Sequence, residues 1–417
     1  MPTNIDRVDT AVERDPPGRW RALAVLAVAE LLAMTTWFSA SAVLPVLVAR
    51  WSLSASAGAW LTIAVQLGFV TGALLSATLN LADLIAPRRL FLVGAVGAAT
   101  ANMLLLHAAG PLHAIPLRFA TGFFLAGVYP PALKSMATWF RRGRGIALGI
   151  LVGALTLGSA VPHLVKGLGG VDWHIVVVTT SVLTLIGGLV AILAGREGPY
   201  PFPPAVFDPR QAVRALAERG VRLATLGYFG HMWELYAMWA WFGVFFAAAL
   251  ETRGTPTFDA ERLAGYAAFA VIGAGAIGCA LGGWLGDRWG RTLTTAAAMS
   301  ISGLCALTIG ALEGLAPVII LAVGLVWGTA VVADSAQFSA MVTEVADQRY
   351  VGTALTLQLA IGFTLTITTI WLVPLIVRAA GWWAAFAVLA PGPAAGVIAM
   401  LRLRASPAAA RIAGGRG

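Results

Sequence analysis

GGWLGDRWGR, residues 282–291, interrupts a long apolar stretch with Asp287, Arg288 and Arg291. On either side lie runs poor in charge, roughly 263–285 and 292–312. Each is long enough to cross a hydrocarbon layer as a helix, which takes about 20 residues. The decapeptide therefore reads as a charged turn between two crossings. A fainter echo, LADLIAPRR at 81–89, again follows an apolar run with an aspartate and then paired arginines.

The rest of the chain has the same character. Of 417 residues, 59% are hydrophobic and 11% charged, with a mean hydropathy of +0.83. A soluble domain carries about 25% charged residues. The composition predicts an all-α integral membrane protein, its outer side chains facing lipid. Crossings are predicted at roughly 21–48, 58–82, 90–109, 113–139, 144–165, 174–194, 222–249, 263–285, 292–312, 316–341, 350–376 and 381–402. The polar segment 195–221 divides these twelve transmembrane helices into six and six. The expected organisation is a tail (1–20), a first bundle (21–194), a linker (195–221), a second bundle (222–403) and a tail (404–417). Residues 1–19 contain Asp6, Asp9, Glu13 and Asp15, and Glu30 interrupts the run that follows. That run reads as a retained crossing rather than a cleaved leader.

Orientation follows from arginine and lysine, which gather on the cytoplasmic side. With the N-terminus inside, 21 of these residues fall on inner segments and five on outer ones: Arg50, Lys166, Arg253, Arg262 and Arg378. Both termini are thus expected in the cytoplasm, with the bacterial inner membrane as the location. The formal net charge of +9 serves topology, and no nucleic-acid partner is needed to explain it. The two cysteines, Cys279 and Cys305, sit in apolar runs and imply no disulfide framework. No cysteine–histidine cluster has metal-ligand spacing and no phosphate-cradling Gly-x4-Gly-Lys-Ser/Thr loop occurs. Neither metal nor cofactor is expected, and ATP is not the driving force of this chain alone. Two six-helix halves of like orientation predict parallel repeats with a site between them.

Gly283, Leu285, Asp287, Arg288, Gly290 and Arg291 resemble the signature loop of the major facilitator superfamily, Gly-x-Leu-x-Asp-Arg-x-Gly-Arg. Leu81, Ala82, Asp83, Arg88 and Arg89 form its degenerate first-half copy, with Ala86 and Pro87 where glycine and arginine are usual. A second stretch, RFATGFFLAGVYPPALKSMATWFRRGRGIALGI (118–150), is similar to the Arg-x-x-x-Gly pattern of the superfamily's fourth span. Its Gly127, Pro131, Trp139, Phe140, Arg144 and Gly145 resemble the branch of nitrate/nitrite porters and anion:cation symporters. The resemblance implies two pseudo-symmetric six-helix bundles that transport by alternating access. It also implies that spans 1, 4, 7 and 10 line a central cavity. The charge cluster of Asp83, Arg88, Arg89, Asp287, Arg288 and Arg291 would bias inward-open against outward-open states.

Ionisable groups inside spans cost about 2.5–3.5 kcal/mol on insertion scales, so they face protein or water. Glu30, Arg118, Lys134, His231, Glu234 and Asp334 all fall on the expected cavity spans. Arg118 could hold an anionic substrate or a proton-carrying carboxylate. The alternative is a permanent ion pair with Glu30 or Glu234. Tyr129 shares its helix face. Lys134 reads as snorkelling to headgroups in preference to ligating. His231 and Glu234, three residues apart on one face, suit proton pickup and release or a static packing pair. Asp334 with Gln337 is an equal rival for the coupling site. Of Trp233, Tyr236, Trp239 and Trp241, most read as packing or interface residues. Gln66 and Gln358 are candidate hydrogen-bonding partners of a substrate, and His107 and His163 read as interfacial.

The expected function is secondary transport of a small-molecule substrate by a monomer coupled to protons. Uptake of a small or organic anion by symport is the first reading. Efflux of drugs or metabolites by proton antiport is the alternative. An enzyme is not expected, because no serine or cysteine nucleophile accompanies His231 and Glu234. A non-transporting receptor or scaffold is disfavoured by the lack of a large soluble domain.

Overall fold

The computed structural model describes residues 16–140, 143–169, 172–200, 212–347 and 351–417. Among these, every regular element is a helix. Ten helices are long and apolar enough to cross a membrane, and both ends of the chain explain why twelve crossings result. Span 1 is not a single helix: Arg19–Ala33, a 3-10 turn at Met34–Thr36, Ser39–Ala42 and Leu44–Arg50 follow one another. No piece reaches membrane length, so the crossing is not among the ten. The last of the ten, Val351–Arg404, is two crossings. The backbone reverses at Gly381, where φ is 78° and ψ is 178°. Only glycine occupies that region without strain. Gly381→Val is therefore expected to lose about 1–3 kcal/mol of stability, read as a lower Tm in detergent. An unchanged Tm would show that the reversal does not depend on this glycine.

The remaining crossings are span 2 (Ala55–Thr78), span 3 (Pro87–Met103), span 5 (Arg144–Leu168), span 6 (Trp173–Ala194), span 7 (Arg219–Thr252), span 8 (Thr257–Trp289) and span 9 (Arg291–Ile309). Span 4 is split into Pro111–Leu125 and Tyr129–Ala137, and span 10 into Pro317–Ala333 and Ser335–Val345. Span 11 starts at Val351 and span 12 ends at Arg404, on either side of Gly381. The breaks in spans 1, 4 and 10 lie near mid-length. In span 4, Pro130 and Pro131 open the second segment, where a missing N–H costs nothing.

The two bundles meet along two seams. Spans 5 and 8 touch over most of their length. Gly149 lies against the backbone of Cys279, Gly153 against Ala276, and Gly265 against His163 and Gly167. At one end of this seam, a Cβ on Gly145 would collide with the carboxylate of Asp287, so the absence of a side chain lets Asp287 sit on the first turn of span 5. At the other end Lys166 and Glu261 form an ion pair. Spans 2 and 11 form the second seam, where Phe69 and Phe363 have ring centroids 4.8 Å apart. An even number of crossings puts both termini on one face. The C-terminal segment stays there: Arg416 Nη1 donates to the Asp287 carbonyl (2.9 Å), and the Ala413 amide donates to Glu344 (3.1 Å).

Candidate functional site

A cavity of about 390 Å³ lies between the bundles. It falls near the lower end of the range for ligand pockets, about 300–1,000 Å³. Spans 1, 2, 4, 5, 7, 10 and 11 all contribute to its wall. The lining reaches Asn80 after span 2 and Gly352 at the start of span 11, both on the face that carries the termini. In the other direction it stops at Phe69 on span 2 and Phe363 on span 11. The cavity is therefore a half-channel, running from the terminal face to mid-membrane.

Its blind end is built from aromatic rings. Trp37 and Phe38 come from the break in span 1, Phe69 from span 2, Tyr236 and Trp239 from span 7, and Phe363 from span 11. Trp37 contacts Phe69 (4.9 Å), Tyr236 (5.9 Å) and Phe363 (5.8 Å). Phe38 contacts Tyr236 and Trp239 (6.1 and 5.8 Å). Apart from Trp37–Phe69, which lies within the first bundle, these contacts cross from one bundle to the other. Edge and offset pairs of this kind contribute about 0.5–1.5 kcal/mol each beyond the area they bury. The cluster is thus a plug that can dissolve when the bundles tilt, because nothing covalent and no ion pair crosses at this level among the described residues.

The wall is otherwise apolar, apart from hydroxyls and amides and two cations. Lys134 and Arg144 are the charged side chains lining the cavity, and no carboxylate lines it among the described residues. Sequence reasoning sent Lys134 towards the headgroups. The structure turns it into the cavity, on the second segment of span 4 that Pro130 and Pro131 open.

The other candidates are distributed in a different way. Arg118 is fully buried and does not line the cavity. Its Nε donates to the Leu61 carbonyl (3.3 Å), and its Nη1 to the Thr36 carbonyl (3.0 Å), Ser39 Oγ (3.0 Å) and Asn102 Oδ1 (3.1 Å). Its Nη2 donates to the Trp37 carbonyl. The acceptors are those left open where span 1 breaks, together with groups on spans 2 and 3. The alternative reading of a permanent ion pair with Glu30 or Glu234 is therefore not realised; backbone carbonyls take its place, two of them exposed by the broken helix. Glu30 is buried, and both its oxygens lack a partner among the described residues. It does not itself line the cavity, but it lies near Tyr129, which does.

His231 and Glu234 share a helix face yet have separate partners. Glu234 accepts from Trp327 Nε1 (2.6 Å) and Ser302 Oγ (2.9 Å), which ties span 7 to spans 9 and 10. His231 Nδ1 lies 2.9 Å from Asp334 Oδ1, at the break in span 10, and its ring packs on Phe338. Gln337 belongs to the terminal face: its Oε1 accepts from Arg291 (2.8 Å) and its Nε2 donates to the Gly282 carbonyl (3.2 Å). Arg291 also grips Glu344 through Nε and Nη2 (2.9–3.1 Å) and lies 3.5 Å from Asp287. Gly283 packs on the Gly145 carbonyl, Arg288 lies over the Trp284 ring (5.5 Å), and Gly290 turns the chain at φ 97°. In the first-half copy, Arg88 and Arg89 are exposed at the start of span 3. The side chain of Asp83 lies outside the described residues. Gln358 lines the cavity, whereas Gln66 is buried away from it. The aromatic plug was not foreseen beyond span 7. Its remaining members could have been found by asking which aromatics sit at mid-span on spans 1, 2 and 11.

Comparison with known proteins agrees with this geometry. Three curated bacterial proteins match just under half of the chain. They are the "Probable actinorhodin transporter" of Streptomyces coelicolor (29% identical over 200 residues), the "Puromycin resistance protein pur8" of Streptomyces alboniger (30% over 195) and the "Multidrug efflux pump LfrA" of Mycolicibacterium smegmatis (30% over 203). The matched regions span 34%, 38% and 39% of those relatives' own lengths. Among solved structures, the chain is similar to a bacterial homologue of the human lysosomal transporter Spinster in its inward-facing conformation. The TM-score is 0.62 for the unoccupied form and 0.63 for the occupied form, at 17% and 16% identity, covering 94% of this chain and 96% of that one. At such identity the likeness is one of fold. The sequence model of the Major Facilitator Superfamily matches residues 26–365, and with two six-helix bundles around a central half-channel the chain belongs to that superfamily of membrane transporters.

Proposed function

We propose that this transporter exports an amphipathic organic solute from the cytoplasm in exchange for protons, with both termini inside and the bacterial inner membrane as its site. The observation that carries the reading is the half-channel: a cavity of ligand size, walled mainly by apolar and aromatic side chains and reaching the terminal face. A wall of this kind favours a solute with an apolar body over a small hydrated ion, whose lost water it could not replace. The drug- and antibiotic-related names of the three relatives point the same way. Glu30 is the coupling group we assign. It is a buried carboxyl with no partner among the described residues, close to the wall residue Tyr129, and a charge there is costly. A proton that comes and goes with access to water is its natural counter-ion. Symport of an organic anion is the second reading, favoured by Lys134 and Arg144 on the wall.

Everted membrane vesicles acidified inside by respiration decide between the two. Accumulation of the aromatic probes fluorescein or rhodamine 6G, lost when nigericin collapses the pH gradient, is the result expected for export. Accumulation only in right-side-out vesicles with acid outside would replace export by uptake.

A further inference from the structure

Three residues of the cavity wall carry hydrogen-bond donors, themselves closed to solvent, that have no acceptor among the described residues. Trp37, Trp239 and Gln358 line the cavity and are buried. Among the described residues, neither indole Nε1 has a partner, and neither has the Gln358 Nε2. Three other tryptophans of the second bundle have acceptors. Trp233 donates to the Val388 carbonyl (3.1 Å), Trp241 to that of Ile370 (3.0 Å) and Trp327 to Glu234 (2.6 Å). An indole N–H is a donor only, and leaving a donor buried and unpaired is costly. The three groups also come from different helices: Trp37 from span 1, Trp239 from span 7 and Gln358 from span 11. Tyr236 lies between the two tryptophans, 5.9 Å from Trp37 and 5.4 Å from Trp239. Towards the terminal face the wall adds the cations of Lys134 and Arg144 and, among the described residues, no carboxylate.

Rings, donors and cations are what a flat, acceptor-rich anion would meet. We infer that the cavity binds a planar aromatic organic acid, its rings against Phe69, Tyr236 and Phe363. Carbonyl oxygens on the ring system take the donors of Trp37, Trp239 and Gln358, and the carboxylate lies toward Lys134. This inference rests on the transport reading above and narrows it to one substrate class. A lipophilic cation would find ring faces in the same wall but no counter-charge, since Glu30 does not line the cavity.

Calorimetric titration of the purified protein in detergent tests it. The ligands are anthraquinone-2-carboxylate, the neutral anthraquinone-2-carboxamide, anthracene-2-carboxylate and tetraphenylphosphonium. The anthraquinone acid is expected to bind tightest. Lys134→Met should weaken it at least tenfold while leaving the neutral amide within twofold. Trp37→Phe combined with Trp239→Phe keeps the rings and removes both N–H groups. That pair should weaken the anthraquinone acid tenfold but anthracene-2-carboxylate less than twofold. Should the double variant not fold, Gln358→Leu makes the same comparison. Tighter binding of tetraphenylphosphonium, or an acid-to-amide ratio unchanged by Lys134→Met, would overturn the inference. Proton-driven movement of rhodamine 6G but not of fluorescein in everted vesicles would sink the substrate class and leave the transport reading standing. Movement of neither probe, with no binding of any of the four ligands, would remove both.

Discussion

Replacement of Arg118 by methionine is expected to cost most of the folded protein. The guanidinium is buried and serves five acceptors on three different helices, three of them backbone carbonyls, two at the break in span 1 and one on span 2. Without it the Trp37 carbonyl, Ser39 Oγ and Asn102 Oδ1 lose a charged donor, and the Thr36 carbonyl keeps only Ser39 Oγ, in a region that water does not reach. Each buried group left unpaired costs about 1–3 kcal/mol, so a loss of about 3 kcal/mol or more is expected. Arg118→Lys should restore little, because an ammonium cannot present a planar fork to acceptors spread over several helices. The measurement is the monodisperse fraction and the Tm in detergent. A variant of parental Tm that had lost only substrate binding would make Arg118 a ligand of the solute and revive its reading as an anion site.

The second large effect is expected at Glu30. Glu30→Gln keeps the shape and removes the proton. Counterflow exchange of solute across proteoliposomes should continue at a rate within a few-fold of the parent. Accumulation driven by a pH gradient should fall to the level of protein-free liposomes. Glu234→Gln should behave in the opposite manner, because Glu234 already accepts two hydrogen bonds inside the second bundle. It should lower Tm and leave coupling intact. Gradient-driven accumulation that survives Glu30→Gln but not Glu234→Gln would exchange the two roles.

Much of the fold was legible because a membrane constrains the chain so strongly. Apolar runs of membrane length, the arginine bias and the two signature turns were enough for twelve crossings in two halves. What the runs concealed were the breaks. Hydropathy does not distinguish a straight helix from the interrupted path of residues 33–44, since Met34, Trp37 and Phe38 are as apolar as helix formers. The candidate site was legible in part. Tyr129 and Gln358 line the cavity as their positions suggested. Helical spacing correctly put His231 and Glu234 on one face of span 7, but a helix of a bundle is surrounded by neighbours. Three residues of advance, near 60° of rotation short of a full turn, are enough to give one of them Asp334 and the other Trp327 and Ser302. Gln337 shows the same limit: its spacing from Asp334 suggested a shared task, and the break at Asp334 sends the two side chains to different layers.

The seam of spans 5 and 8 has a consequence for how the cycle can be watched. It is fastened at one end by Asp287 on the first turn of span 5 and at the other by Lys166 and Glu261, with glycines pressed on backbone between. Along spans 2 and 11, by contrast, Ala77 and Leu355 both face the open cavity. The molecule is bound like a book along one edge. Turning its pages changes distances least beside the spine and most at the fore-edge. A pair of spin labels at Ala77 and Leu355 is therefore expected to change its distance more between states than a pair near Gly149 and Cys279.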